Sequence, residues 1–178
     1  MTEQNTDEIE FRSFPKIARL SKSIIVTEKI DGTNGQIFIK EDGTIFAGSR
    51  NRWVTPDNDN FGFAAWVADH KDELLTLGPG RHFGEWWGLG IQRGYGLAEK
   101  KFSLFNIAQS NSFLPACCTF VPILYHGQMD TGMIELCLDR LREHGSVAAP
   151  GFMKPEGIIV FHTGAHICFK KTLDGDCK

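Results

Sequence analysis

The chemistry-bearing residues of this sequence concentrate first in Thr27-Glu28-Lys29-Ile30-Asp31-Gly32-Thr33-Asn34. A lysine closes a β-rich run and Asp-Gly comes at once, which forces a tight turn directly behind the amine. Lys-x-Asp-Gly alone is unspecific: at average residue frequencies it arises in roughly 4% of chains this long. Weight comes from the order of the motifs further along the chain. Ser49-Arg50 ends the next strand, and a guanidinium fork there suits a ribose or phosphate oxygen, although Arg52 is two residues away and either could serve. Phe83-Gly84-Glu85-Trp86 sets a carboxylate among aromatics, where it would be costly to bury without a partner. Lys101-Phe102-Ser103-Leu104-Phe105-Asn106-Ile107 supplies further aromatics, and Pro155-Glu156-Gly157 places a second carboxylate just before a buried strand. Phe169-Lys170-Lys171 ends the last strand with cations.

The elements that must position these groups are mostly strands. Ile24–Ile30 is β-rich, and Gly35–Lys40 and Thr44–Ser49 alternate around Glu41-Asp42-Gly43, a strong hairpin signal. Phe61–Leu75 has the apolar spacing of a helix packed on a sheet. His82–Trp87 and Phe102–Ala108 read as strands separated by the glycine-rich stretch Gly88–Gly96, and Phe120–Tyr125 is another apolar run. Met133, Ile134, Cys137, Leu138 and Leu141 fall at helical spacing, with Asp130 as cap and Gly145 as stop. Gly157–Phe161 and His166–Lys170 form a closing pair of strands. Many strands and two helices predict an α+β domain with a largely antiparallel sheet, spanning 1–178 as one unit.

Composition narrows the field. The chain has 178 residues, 42% hydrophobic and 23% charged, with a net charge of −3, which excludes a strongly basic nucleic-acid coat. Lys16, Arg19 and Lys22 read as a solvated face. No run of eighteen apolar residues exists, and the polar start MTEQNTDEIE is unlike a signal peptide. Five cysteines without a C-x-x-C spacing read as buried reduced thiols, pointing to a reducing, cytoplasmic setting. The glycines at 88, 90, 94 and 96 match neither a Rossmann fingerprint nor a P-loop and read as a flexible loop carrying Gln92 and Arg93.

From about Ile24 to Lys171 the ordered motifs resemble the covalent nucleotidyltransferases: ATP-dependent RNA ligases, DNA ligases and mRNA capping enzymes. Within them the chain looks most like the RNA ligases, whose nucleophile segment often reads Glu-Lys-x-x-Gly-x-Asn. The resemblance implies a ligase adenylylation domain of ATP-grasp-like type, with antiparallel sheets and flanking helices. It implies that Lys29 attacks the α-phosphate of ATP to form a lysyl–AMP, helped by Mg²⁺ or Mn²⁺. AMP then passes to a 5′-phosphate end, which a 3′-hydroxyl seals.

By the same resemblance Glu28 and Ile30 line the adenine through backbone and packing, Asn34 is a second nucleotide contact, and Glu85 takes a ribose hydroxyl. Phe105 stacks on the base, Arg50 holds ribose or phosphate, and Glu156 is the metal carboxylate. Asn106 stands where the family commonly has aspartate. Relatives usually carry Lys-x-Lys at the end of the domain, whereas Lys170 and Lys171 are adjacent, so alternation sends them to opposite faces. Parity with His166 and Cys168 favours Lys170 for the pocket. Only Thr172–Lys178 come after this motif, so no OB domain is expected, which favours a small RNA ligase acting on RNA ends. A minimal DNA ligase and a non-catalytic module that binds nucleotide or nucleic-acid ends are the alternatives, GTP is not excluded, and oligomeric state is open.

Overall fold

The computed structural model describes residues 10–105 and 114–175. The chain alternates between two sheets. It forms β1 (Ser23–Lys29), β2 (Thr33–Ile39), β3 (Ile45–Gly48) and β4 (Trp53–Val54), then α1 (Phe63–Asp69), α2 (Lys71–Leu74) and a 3₁₀ turn at Leu75–Leu77. Next come β5 (Gly80–Gly88), β6 (Lys100–Leu104), β7 (Cys118–Phe120), β8 (Ile123–Gln128), α3 (Thr131–His144), β9 (Gly157–His162) and β10 (Ile167–Thr172). A four-stranded sheet has the order β10-β9-β1-β8 and a six-stranded sheet the order β4-β3-β2-β5-β6-β7. All neighbours are antiparallel except the β6–β7 pair. This is the α+β architecture that the strand-rich pattern predicts, and the described residues contain no separate OB barrel.

Each sheet buries one face under helices, as period-2 alternation dictates. Ile24, Val26, Ile158 and Val160 of the four-stranded sheet meet Cys137, Leu138 and Leu141 of α3. In the six-stranded sheet Ile37, Ile39, Trp86 and Phe102 pack on Phe63 and Val67 of α1. Gly35 and Gly84 face each other across β2 and β5, and a Cβ at either would strike the Phe102 ring. Their missing side chains admit the aromatic layer.

The sheets meet where the chain crosses between them. One crossing is Ile30–Gly32, from β1 to β2. The other is Val121-Pro122, from β7 to β8, where Val121 N–H donates to Leu104 O and Pro122 O accepts from Glu28 N–H at 3.0 Å. The register of β1 on β8 slips between Val26 and Thr27 beside this point. A small core of Ile30, Trp87, Tyr95, Val121 and Ala149 fills the junction.

Four local features differ from the sequence expectations. The helix over Phe61–Leu75 is shorter and broken: Phe61 and Gly62 hold positive φ, so α1 starts at Phe63, and His70 interrupts it. Asp59 supplies the cap from outside, accepting from Ala64 N–H at 2.7 Å and Ala65 N–H at 3.0 Å. The run Phe120–Tyr125 serves two sheets, because Pro122 lacks the N–H that a continuous ladder would use. Cys168 is exposed, whereas Cys118 and Cys137 are buried; all the described cysteines are free thiols. The expected strand Phe102–Ala108 is seen as Lys100–Leu104, and Asn106 lies outside the described residues, as does Cys177. No helix among the described residues is long and apolar enough to cross a membrane.

The expected boundaries of α3 do match: Asp130 accepts from Gly132 N–H at 2.7 Å and Met133 N–H at 3.2 Å, and Gly145 ends the helix at φ 78°. Asp130→Ala leaves those donors unmet and is expected to lower stability by about 1 kcal/mol, read as a shifted urea midpoint at unchanged slope.

Candidate functional site

Between the uncovered faces of the two sheets lies a cleft of about 810 Å³, within the size range of small-molecule sites. Alternation decides its lining. Ile25, Thr27 and Lys29 of β1 point into it, paired with Phe161, Ile159 and Gly157 of β9. Cys168 and Lys170 of β10 share that face, because they register with Phe161 and Ile159. The opposite wall is Thr33 and Asn34 of β2, Glu85 of β5, Arg50 after β3 and Phe105 after β6.

Lys29 ends β1 at the crossing. Its Nζ donates to Glu156 Oε2 at 2.5 Å, with both side chains about one-fifth exposed. The next residue but one, Asp31, is anchored twice: its N–H donates to the Tyr95 hydroxyl at 2.8 Å, and its Oδ2 accepts from Arg93 Nε at 2.9 Å. Arg93 also donates to Lys154 O and to Asp174 Oδ2. One guanidinium thereby ties the turn behind Lys29 to the segment leading to Glu156 and to the chain just after β10. The glycine-rich stretch, expected as a flexible loop, is thus a brace holding three site segments.

Glu85 is 9% exposed and faces Asn34 across β2 and β5. Its Oε1 accepts from Gly32 N–H and its Oε2 from Asn34 Nδ2, each at 3.1 Å. Burial pushes its carboxyl up to about 7, and the Lys29 ammonium pulls only partly against that. Gly32 is required here by contact: a Cβ would come within 2.5 Å of Trp86 O and 3.0 Å of Glu85 Cγ. Phe105 is half-exposed, and its N–H is fixed to Phe83 O at 2.9 Å.

The structure settles two open alternatives by geometry. Arg50 lines the cleft, whereas Arg52 spends its guanidinium on Asn58 O and Asp59 O. Lys170 lines the cleft, whereas Lys171 sits on the opposite face and pairs with Glu135 of α3. The placement of Lys171 at the nucleotide is therefore corrected. Glu28 borders the cleft by its backbone alone, since its carboxylate turns away and accepts from Ser146 Oγ, Val147 N–H and Ala148 N–H at 2.5, 2.8 and 2.9 Å. Burial raises its pKa against these bonds. Ile30 borders the cleft from the junction core, and Asn34 reaches it while bonded to Glu85.

Sequence reasoning missed Arg93 and Tyr95 as supports of the site. Both lie in the glycine-rich stretch, and no spacing signal connects them to Asp31. Among the described residues no group of three or more His, Cys, Asp or Glu could cage a metal. Glu156 stands as a single carboxylate at the cleft, paired to Lys29.

Residues 22–172 match the RNA ligase family. No curated protein matches the chain. Among solved structures, an apo variant of an RNA ligase from Naegleria gruberi superposes with a TM-score of 0.61 at 20% identity, over 86% of this chain and 50% of that one. A mutant Naegleria gruberi RNA ligase with ATP and Mn gives a TM-score of 0.62 at 20% identity, over 86% of this chain and 50% of that one. Another mutant with AMP and Mn gives 0.60 at 18% identity, over 87% and 51%. The chain thus spans about half the length of those ligases and shares their fold.

Glu85 ties the site to pH. Its carboxyl titrates near 7 in the fold and near 4.5 unfolded, so the fold binds the extra proton. Stability from that proton is complete below pH 4.5 and is lost as pH rises through 7. Glu85→Gln removes the dependence. Its stability relative to wild type is expected to rise by roughly 2–3 kcal/mol between pH 5 and pH 8, measured by urea unfolding at both; a constant difference would refute the assignment.

Proposed function

The chain belongs to the RNA ligase family, and we propose that it is an ATP-dependent RNA ligase that works through a lysyl–AMP at Lys29. We read 1–178 as one nucleotidyltransferase domain acting on 5′-phosphate and 3′-hydroxyl RNA ends, and its free thiols suit a reducing, cytoplasmic setting. The observation that carries the reading is the company of one amine. Lys29 lies in a single cleft with Glu85, Arg50, Phe105 and Lys170, and is paired to Glu156.

Each group has work in a nucleotidyl transfer. The unprotonated Lys29 amine bonds to the α-phosphorus while the bond to pyrophosphate breaks, and the proton it sheds leaves to solvent or a carboxylate. Arg50 and Lys170, on opposite walls, neutralise phosphate charge from two sides, the main lever in such reactions. Phe105 offers a ring face to the adenine. Glu85, with Asn34, offers acceptors and a donor to the ribose hydroxyls, and it already holds the Gly32 N–H that shapes the turn behind Lys29. Glu156 would hold the divalent cation, which when bound supplies Lewis acidity and a positive charge that competes with the amine for that carboxylate. The same first step on either polynucleotide leaves a minimal DNA ligase as the alternative, separable by offering both nicked substrates.

Incubation with ATP and Mg²⁺ followed by intact-mass spectrometry is expected to show one added AMP on the wild type and none on Lys29→Ala. A GMP adduct from GTP in place of AMP would move the chain to capping chemistry. Lys170→Ala is expected to slow adduct formation by about 10²-fold, and Lys171→Ala to leave it within a few-fold of wild type. Equal effects of the two would sink the facing assigned to Lys170.

A further inference from the structure

The face of the six-stranded sheet that forms one wall of the cleft does not stop at the cleft. It continues outward over β5, β2, β3 and β4 as an uncovered grid, set by strand register. Asn34 and Glu85 pair in the cleft; beyond them come Phe83, Gln36, Gly48 and Trp53 in one row, then Arg81, Phe38 and Phe46 in the next. Phe83 is 50% exposed, Trp53 47% and Phe46 37%. Ring centroids of Phe38 and Phe46 are 6.2 Å apart, and those of Phe46 and Trp53 5.8 Å apart, so the rings tile one surface.

Two cations ride on these rings. The Arg81 guanidinium lies 4.6 Å from the Phe38 centroid and 5.6 Å from that of Trp53, and Lys40 Nζ lies 5.1 Å from Phe46. Arg81 hydrogen-bonds Gln36 Oε1 at 3.1 Å. Among the described residues Arg81 has no carboxylate partner, and the grid between Glu85 and the β2–β3 turn carries no acidic side chain. Gly48 makes room for the tiling: a Cβ there would press within 3.1 Å of both the Trp53 ring and the Gln36 amide. A large aromatic surface on the outside of a soluble fold is not needed for the core, which lies on the other face of the same strands.

We propose that this grid is a stacking platform for an unpaired stretch of the RNA strand whose end enters the cleft. Aromatic rings interleaved with cations on an open sheet are what base faces and phosphates recognise, and such sheets stack two or three bases. The grid is four strands wide, about 14 Å at the usual strand spacing, which accommodates that number. Continuity fixes which nucleic acid it serves. Phe83 sits between Glu85 and Arg81 on β5, and its carbonyl holds Phe105, so the platform begins where the nucleotide cleft ends. A duplex hides its base faces, so the occupant is single-stranded. The proposal rests on the RNA ligase reading, but its geometry is separate from that of Lys29.

The test uses the full chain without ATP, so that failure to form lysyl–AMP leaves it intact. Fluorescence anisotropy compares a 5′-phosphorylated 12-nucleotide single-stranded RNA with a blunt RNA duplex of equal length. The wild type is expected to bind the single strand at least about tenfold more tightly. Phe46→Ala/Trp53→Ala and Arg81→Gln are each expected to weaken that binding by about tenfold while AMP adduct formation stays at the wild-type rate. Wild-type binding by both variants, or equal affinity for the duplex, would overturn the proposal. So would a wild-type dimer in sedimentation that Phe46→Ala/Trp53→Ala converts to monomer with RNA binding unchanged, since a second copy would then cover the face. Should the variants melt early, photocrosslinking of 5-iodouridine RNA to the wild type decides. Adducts on peptides carrying Phe38, Phe46, Trp53 or Phe83 support the platform, and adducts confined to other peptides refute it.

Discussion

A buried carboxylate next to the cleft lysine holds the site in place. Glu28 and Lys29 are successive residues at the end of β1, so the pleat sends them opposite ways. Glu28 turns into the interior and is gripped by Ser146 and by the N–H groups of Val147 and Ala148, while its own N–H bonds Pro122 O. A charge at that depth is tolerated only because every near oxygen is satisfied. The result is a strand end pinned from the segment after α3 and from the crossing before β8. Lys29, on the same stretch of backbone, has no freedom to wander along the cleft.

The second constraint is the pair of crossings between sheets. Chain that leaves one sheet for another must satisfy its backbone groups away from any ladder. Here it does so with Tyr95, Glu85 and the carbonyl of Leu104. The groups that meet these obligations also shape the cleft. Glu85 binds the Gly32 amide and faces the cleft, and Arg93 joins Asp31, Lys154 and Asp174. Structural satisfaction and chemical placement are the same set of bonds. Glu85 carries the cost, with a carboxyl driven up to about 7 by its burial beside the cleft.

The separation between the sheets explains the long reach of the site. Lys29, Glu85, Phe105, Glu156 and Lys170 are spread over most of the sequence; Lys29, Phe105 and Glu156 sit at or just beyond a strand end, while Glu85 and Lys170 face inward from within theirs. Strand ends at a sheet junction are fixed by ladders on one side and free to face a ligand on the other. The exposed rings of Phe83, Phe46 and Trp53 extend the same wall and complete a surface with one polar, deep end and one aromatic, open end.

Much of this was legible in the residues. Alternation around Asp42-Gly43 foretold the β2–β3 hairpin, and the cap and stop of α3 fell where Asp130 and Gly145 stand. Parity alone separated Lys170 from Lys171, because a pleat has period two whatever surrounds it. Local rules of this kind act within a few residues, so the sequence by itself settled strand and helix types, the hairpin and the face of the terminal lysine. It did not settle which arginine reaches the cleft, since Arg50 and Arg52 share a parity and only the carbonyls of Asn58 and Asp59 claim Arg52. Nor did it show that Glu28 serves the loop after α3, that Arg93 braces the turn, or that Phe46 and Trp53 share an open face with Glu85. Those facts depend on partners far apart in the chain. A sequence records each side chain's chemistry and its phase along a strand, while the pairing of strands, decided by packing of the two sheets, selects which chemistry meets which.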